Sequence, residues 1–343
     1  MLEQGRLTEA KRGIRAELAR APKNASLHFT LGQIYTAEKQ YRAAQQELET
    51  ANSLEPENFD ILLNLGRAYL FGGESSKAEL VLKRVLTLRP ESPDALSELA
   101  RAYTAESRPV DALELLVRAH KIAPENADIA LELGRVSMSQ NYFEDAIPLL
   151  ESAIKQAPRR SDLRAALGES YFMAGKADKA IEVFDRLIEL DPSAKSYASR
   201  GLSYRHLGRF DEARENFAQG LKLDRNNAVC LFNLGYIESR QGNRAKAEEY
   251  FQQTIKVNPN YADALMELAN LRVNSKDYGP GRYEAAADYL RRFVKIARDP
   301  APGYYKLAMV ERNLKQFEAA QRDLNVFQTL SRNTSPGPYP YQH

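Results

Sequence analysis

Three arginines in the first half of the chain, Arg67, Arg101 and Arg135, recur at an interval of 34 residues. On stacked helices this spacing would place three guanidinium groups in a row, and guanidinium groups bind carboxylates or phosphates through paired hydrogen bonds. Glu98 and Glu132 come three residues before two of these arginines, which is salt-bridge spacing on a helix. Two interpretations stay open: a row that binds an acidic ligand, and arginines that are paired within their own helix.

Residue types that commonly perform catalysis are few and scattered. The four histidines, His28, His120, His206 and His343, form no metal-binding spacing such as HExxH. The sequence contains neither a phosphate-binding glycine loop nor a GxSxG nucleophile motif. The single cysteine, Cys230, precedes two apolar residues, so packing is its expected role and a reactive thiol is the alternative. The sequence therefore predicts no enzyme, no cofactor and no metal site.

A period of 34 residues runs through most of the 343-residue chain. Proline marks it from Pro22 to Pro192 without a slip and returns at Pro259. When this proline is numbered position 32, position 20 is alanine in nine repeats and position 24 is Leu or Phe. Residues four apart share a helix face, so each repeat predicts a hairpin of helices A and B whose apolar faces need neighbouring repeats to cover them. Small residues also fill position 8: Gly32, Gly66, Ala100, Gly134, Gly168, Gly201, Gly235, Ala269 and Ala308.

The predicted start of helix A carries a capping signal in several repeats. A side-chain oxygen just before a helix accepts hydrogen bonds from the first free backbone amides. An aspartate often follows at position 2, where the helix dipole favours a negative charge. The predicted N-cap residues are Asn24, Asn58, Ser92, Asn126 and Asn227.

Leu at position 7, Gly at 8, Tyr at 11, Ala at 20, Phe or Leu at 24 and Pro at 32 together resemble the tetratricopeptide repeat (TPR) over nearly the whole chain. The resemblance implies an all-α, right-handed superhelical solenoid of helix-turn-helix hairpins. Arg200 departs from the pattern at position 7, and Asp277–Gly281 are predicted to form a projecting loop. We expect helix B of an incomplete repeat at 1–24, nine repeats at 25–332 that begin near 25, 59, 93, 127, 161, 194, 228, 262 and 301, and an extended Pro-rich tail at 333–343.

The resemblance also implies that the A helices line a concave groove, into which positions 2, 5, 6, 9, 12 and 13 point. Aromatic side chains there would supply contact area, Asn could bond a ligand backbone, and Arg could anchor acidic groups. The alternative is that some of these residues pack between neighbouring A helices. The predicted peptide-binding residues are Arg67, Arg101, Arg135, Arg205, Phe232, Asn233, Tyr236, Arg240, Asn270, Asn274, Tyr305 and Arg312.

The predicted function is a protein-interaction scaffold that holds an extended peptide or a helix of its partner. The alternatives are a substrate-recruiting segment of a larger enzyme or of a secretion or assembly complex, and self-association through the ends, which lack complete polar caps. The net charge of +2 and the interleaved acids argue against nucleic acid as partner. Membrane insertion is not expected. We expect a soluble segment of a longer chain, cytoplasmic or periplasmic.

Overall fold

The protein is a stack of helices. A computed structural model describes residues 2–274, 278–279 and 281–333, which contain nineteen α-helices and no β-strand. The predicted all-α class is confirmed. The chain divides into two compact units, residues 1–183 and 184–343. Of the predicted features, the tail beyond Asn333 lies outside the described residues, as do Asp277 and Pro280 of the Asp277–Gly281 insertion.

The first compact unit begins with a lone helix and continues with A/B pairs, in which even-numbered helices are A and odd-numbered helices are B. Its last helix, α11, contains the boundary between the two units. The helices are α1 (Leu2–Arg20), α2 (Ala25–Ala37), α3 (Tyr41–Leu54), α4 (Phe59–Phe71), α5 (Ser75–Leu88), α6 (Pro93–Ala105), α7 (Pro109–Ile122), α8 (Ala127–Ser139), α9 (Phe143–Gln156), α10 (Ser161–Met173) and α11 (Ala177–Leu190).

The second compact unit repeats the same alternation. Each A helix has 13 residues, as in the first unit. The helices are α12 (Ala194–His206), α13 (Phe210–Leu223), α14 (Ala228–Arg240), α15 (Arg244–Val257), α16 (Ala262–Asn274), α17 (Arg282–Ile296), α18 (Ala301–Asn313) and α19 (Phe317–Asn333).

Small residues let helices A and B of each repeat approach closely. A Cβ placed on Gly66 would stand 2.7 Å from Leu82, and one on Gly235 would stand 2.7 Å from the ring of Phe251. The residue at position 24 thus lies directly over the glycine at position 8, and the same close approach is found at Gly32, Gly134 and Gly201. The alanines of position 20 are at most 1% exposed in all nine repeats: Ala44, Ala78, Ala112, Ala146, Ala180, Ala213, Ala247, Ala286 and Ala320.

The predicted N-caps are confirmed by their hydrogen bonds. The Oδ1 atom of Asn58 accepts from the amides of Asp60 and Ile61 at 3.1 and 3.3 Å. These bonds satisfy amides that have no partner inside the helix, and so they fix where each A helix begins. The same role is filled by Asn24, Ser92, Asn126 and Asn227.

Tyrosine at position 11 connects neighbouring repeats. The hydroxyl of Tyr69 donates to Glu49 at 2.6 Å, and that of Tyr171 donates to Glu151; each glutamate lies on helix B of the preceding repeat. Burial and the adjacent Glu151 carboxylate raise the pKa of Tyr171 to about 12. The hydroxyl therefore remains protonated at neutral pH and keeps its role as donor.

The exceptional Arg200 replaces an apolar contact with a polar one. Its Nε atom donates to Asn216 Oδ1 at 2.6 Å, and its Nη1 atom donates to Asp185. Asn216 is only 4% exposed. Because a buried arginine is costly unless it is paired, these two partners explain how the position tolerates a charge.

Candidate protein-binding surface

The arginine row of the first unit forms ion pairs between neighbouring A helices. The Nε atom of Arg67 donates to Glu98 Oε1 at 2.7 Å, and Arg101 pairs with Glu132. In both cases position 9 of one A helix meets position 6 of the next. The same-helix interpretation concerns the two arginines that follow a glutamate by three residues, and for Arg101 it describes only a second contact, 3.4 Å from Nη1 to Glu98 Oε2. Arg67 follows Asn64 at that spacing and pairs with the next A helix instead.

The third arginine of the row differs from the first two. The next A helix after α8 is α10, which carries Ala166 at position 6, where α6 and α8 carry glutamate. The side chain of Arg135 is exposed and has no ion pair or hydrogen bond in the described part of the chain. Of the three predicted contacts in this row, Arg135 is thus the one whose charge is not already engaged.

In the second unit, two predicted residues lie together on neighbouring A helices. The guanidinium of Arg205, on α12, lies over the ring of Tyr236, on α14, with 5.0 Å from Cζ to the ring centroid. A cation over an aromatic face is attracted by the ring quadrupole, so each side chain restrains the other. Tyr236 is half-buried, and Arg240, one turn further along α14, is exposed.

Two predicted contact residues belong to the core instead. Phe232 is 8% exposed, and its ring centroid lies 5.0 Å from that of Tyr261 and 5.6 Å from that of Phe251. Asn233 is 2% exposed and donates to the carbonyl of Val229 at 2.7 Å. Ala264 and Leu268 of the next A helix belong to the same apolar cluster as Phe232. The expectation that they face a ligand is corrected accordingly.

The remaining predicted residues lie on α16 and α18. Asn270 Oδ1 accepts from Lys306 Nζ at 2.7 Å, a bridge between the two helices. Tyr305 is 47% exposed and packs against Phe327 at 5.3 Å between ring centroids. Asn274 and Arg312 are exposed.

Glu267 is a carboxylate of this surface that the predicted set omits. It stands at position 6 of α16, the position that holds the paired glutamates of α6 and α8. Burial raises its pKa, while a hydrogen bond from Asn270 and the charge of Lys306 act in the opposite direction. The recurrence of glutamate at position 6 was the sequence signal that could have identified it.

Groups with catalytic potential are buried or dispersed. Cys230 is fully buried, and burial raises the pKa of its thiol to about 12, so the reactive thiolate is scarce at neutral pH. Burial also lowers the pKa of His120. Among the described residues no three His, Cys, Asp or Glu side chains converge as a metal site would require. No helix in the described ranges is both long and apolar enough to cross a membrane.

The Asp277–Gly281 insertion is predicted to project, but its residue Tyr278 packs inward. Tyr278 packs against the core cluster that includes Phe251, and the guanidinium of Arg272 lies 4.0 Å from its ring centroid. Burial and a hydrogen bond with Glu248 raise the pKa of Tyr278 to about 12. Asp277 and Pro280 lie outside the described residues.

Comparison of the sequence with models of protein families identifies the same repeat that the residue pattern resembles. A sequence model described as tetratricopeptide repeat matches residues 63–127, 131–195 and 232–304, together more than half of the chain. The chain belongs to the tetratricopeptide repeat family. Two further models with the same description match this TPR protein at residues 192–260 and 35–86.

Similar proteins cover parts of the TPR array. Photosystem I assembly protein Ycf3 of Rippkaea orientalis is 26% identical over 113 residues, 29% of this chain and 65% of that protein. Cellulose synthase 1 operon protein C of Komagataeibacter xylinus is 28% identical over 142 residues, 38% of this chain and 11% of that protein. The matches thus span less than two thirds of either relative.

A solved structure extends the likeness in fold. A tetratricopeptide repeat protein from Parabacteroides merdae superimposes with a TM-score of 0.53 at 21% identity, over 69% of this chain and 94% of that one. The solenoid architecture is therefore shared. Together, family and relatives support a protein-interaction scaffold as the general role.

Proposed function

We propose that this TPR protein holds an extended segment or a helix of a partner protein against the A helices of its second compact unit. The observation that carries the proposal is the pairing of Arg205 with Tyr236, which leaves a restrained, half-buried aromatic ring beside a cation on adjacent A helices. Half-buried tyrosine and arginine are the residue types that most often supply binding energy at protein interfaces.

The neighbouring A helices extend this surface with similar chemistry. Tyr305 offers nearly half of its side-chain area on α18, and it is held by Phe327. Arg240, Asn274 and Arg312 are exposed on consecutive A helices. Restrained aromatics lose little rotational freedom on binding, and the polar groups can pair with the backbone or with acids of a bound segment.

The charge of this half supports the same choice of partner. Residues 193–343 carry 23 Lys and Arg against 16 Asp and Glu. A positively charged surface favours encounters with segments of opposite charge, so we expect the bound segment to be acidic overall. One similar protein is named a photosystem I assembly protein, which is consistent with use of the array as an assembly scaffold.

The test is a binding titration with single substitutions on the proposed surface. Partner proteins captured from the source lysate are identified by mass spectrometry, and their segments are titrated as labelled peptides in fluorescence polarisation. We expect Tyr236→Ala and Arg240→Ala each to weaken binding, the former by about tenfold or more, because truncating an interface tyrosine removes a large contact area.

Two variants outside the proposed surface serve as controls. Tyr142→Ala removes a tyrosine that is 52% exposed in the first unit, and Lys222→Ala removes an exposed cation from helix B of the second. Neither should change affinity. Unaltered affinity in both Tyr236→Ala and Arg240→Ala, or an equal loss in the two controls, would rule out the proposed surface.

A further inference from the structure

The arginine row of the first unit ends in a cation that has no acid. Arg67 and Arg101 each pair with a glutamate at position 6 of the next A helix. At the third step that position is Ala166, whose side chain ends at Cβ. Within the described residues, the row thus contains three arginines but only two glutamates that pair with them across neighbouring A helices.

The nearby acidic groups all have other partners. Asp128 and Asp162 both pair with Arg160, at 2.8 and 2.7 Å. Glu132 is held by the preceding arginine of the row and by a hydrogen bond from Ser97. Glu169, three residues beyond the alanine on α10, has an interaction of its own. The guanidinium of Arg135 is thus exposed to solvent, and its N–H groups have no acceptor among the described residues.

We propose that Arg135 binds a carboxylate of a partner protein, which takes the role that Glu98 and Glu132 play beside the other two arginines. This inference rests on the proposed function only in treating the array as a protein-binding scaffold, because Arg135 lies in the first compact unit and the surface around Tyr236 lies in the second. The first two steps of the row argue for a carboxylate, since the same position already pairs with one at 2.7 Å. The planar guanidinium can also bind both carboxylate oxygens at once.

The carboxylate has two possible sources in a protein ligand. One is the side chain of Asp or Glu, and the other is the free carboxyl group of a chain terminus. Both present the same pair of oxygens to Arg135. In the next repeat, Met173 at the end of α10 is 39% exposed and offers a bound segment an apolar surface.

The first experiment supplies the missing acid from within the chain. Ala166→Glu places glutamate at position 6, where α6 and α8 already carry it. Because Ala166 is 3% exposed, Ala166→Gln serves as a neutral control with nearly the same steric cost. If Arg135 is available to a carboxylate, Ala166→Glu should have a Tm about 2 °C above that of Ala166→Gln. Adding Arg135→Gln should abolish that difference. An equal Tm in the two variants would overturn the inference.

The second experiment measures binding from outside the chain. The probes are three sets of short labelled peptides: one with internal glutamate and an amidated end, one whose only acid is a free C-terminus, and one with no acid. We expect Arg135→Gln and Ala166→Glu to weaken at least one acidic set by about tenfold, without an effect on the acid-free set. The set that responds identifies the source of the carboxylate.

A matched substitution separates this site from the general charge of the protein. Arg84→Gln removes an exposed cation from helix B α5 and should leave affinity for all three peptide sets unchanged. Acidic peptides that fail to bind, or that bind Arg135→Gln as tightly as the wild type, would overturn the inference. If Tyr236→Ala still weakens partner binding, only this inference fails; if that variant also has no effect, the proposed function fails as well.

Discussion

Leu82 covers Gly66 so closely that a Cβ on Gly66 would stand 2.7 Å from the Cγ atom of Leu82. Alanine at this position gains about 1 kcal/mol in helix propensity, but forcing a methyl group into a packed interface costs about 1–3 kcal/mol. We therefore expect Gly66→Ala to be destabilising on balance. Hydrogen exchange should become faster in α4, α5 and their neighbours before it changes in α17 and α18, because contacts in a repeat array are local.

The same substitution at Gly13 provides the control. Gly13 lies inside α1, and nothing stands within 4 Å of the point where its Cβ would be. Gly13→Ala should therefore slow exchange in α1, since the helix gains about 0.5–1 kcal/mol without steric cost. If both variants shift stability in the same direction, close packing is not the reason that glycine occupies position 8.

The features that were predictable from the sequence are those decided within one repeat. Asn58 caps α4 through amides two and three residues away, and Ala78 is buried because it shares a helix face with Leu82. Both relationships depend only on spacing along one helix or hairpin. They follow from residue type and period without knowledge of how successive repeats are stacked.

The features that were missed depend on the offset between successive repeats. The acid that neutralises Arg67 is Glu98, 31 residues away, and the sequence period alone does not show that position 9 of one A helix meets position 6 of the next. Phe232 was assigned to the surface by its repeat position, but Tyr261, just before the next A helix, packs against it. A small rotation between repeats would expose that ring, so its burial could be known only from the packed structure.

Tyr171→Phe is expected to weaken the joint between the fourth and fifth repeats. The substitution removes the hydroxyl that donates to Glu151, and a typical intramolecular hydrogen bond contributes about 1 kcal/mol. Tyr204 holds the same repeat position, but its hydroxyl has no hydrogen bond among the described residues. Tyr204→Phe should therefore be nearly neutral. Thermal unfolding of the two variants measures the difference, and equal losses of Tm would contradict the role of the hydrogen bond.

Glu267→Gln is expected to stabilise the protein at neutral pH. Burial raises the pKa of Glu267 above its unfolded value, so the native state binds more protons and its stability falls as pH rises through the folded pKa. Glutamine has no charge to desolvate, and at pH 7 the variant should have a Tm about 2 °C above that of the wild type. This advantage should disappear near pH 4, where the native carboxyl is protonated.

The control for that pH dependence is Glu125→Gln. Glu125 is exposed in the loop before α8, and no ion pair involving it is found in the described residues. Its substitution should leave the difference in Tm from the wild type unchanged between pH 4 and pH 7. If Glu267→Gln behaves in the same way, the attraction of Lys306 and the hydrogen bond from Asn270 offset the cost of burying the carboxylate.

Arg200 and Asn216 replace a pair of apolar residues, since the fourth repeat carries Leu133 and Leu149 at the same two positions. Arg200→Leu alone leaves Asn216 Oδ1 buried without the donor that it has at 2.6 Å, and an unsatisfied buried acceptor costs about 1–3 kcal/mol. Adding Asn216→Leu removes that acceptor and restores an apolar contact, so the double variant should recover most of the loss or exceed wild-type stability.

A double-mutant cycle of the free energy of unfolding measures this coupling. Additive losses in the two single variants would mean that the hydrogen bond between Arg200 and Asn216 contributes no coupling energy to stability.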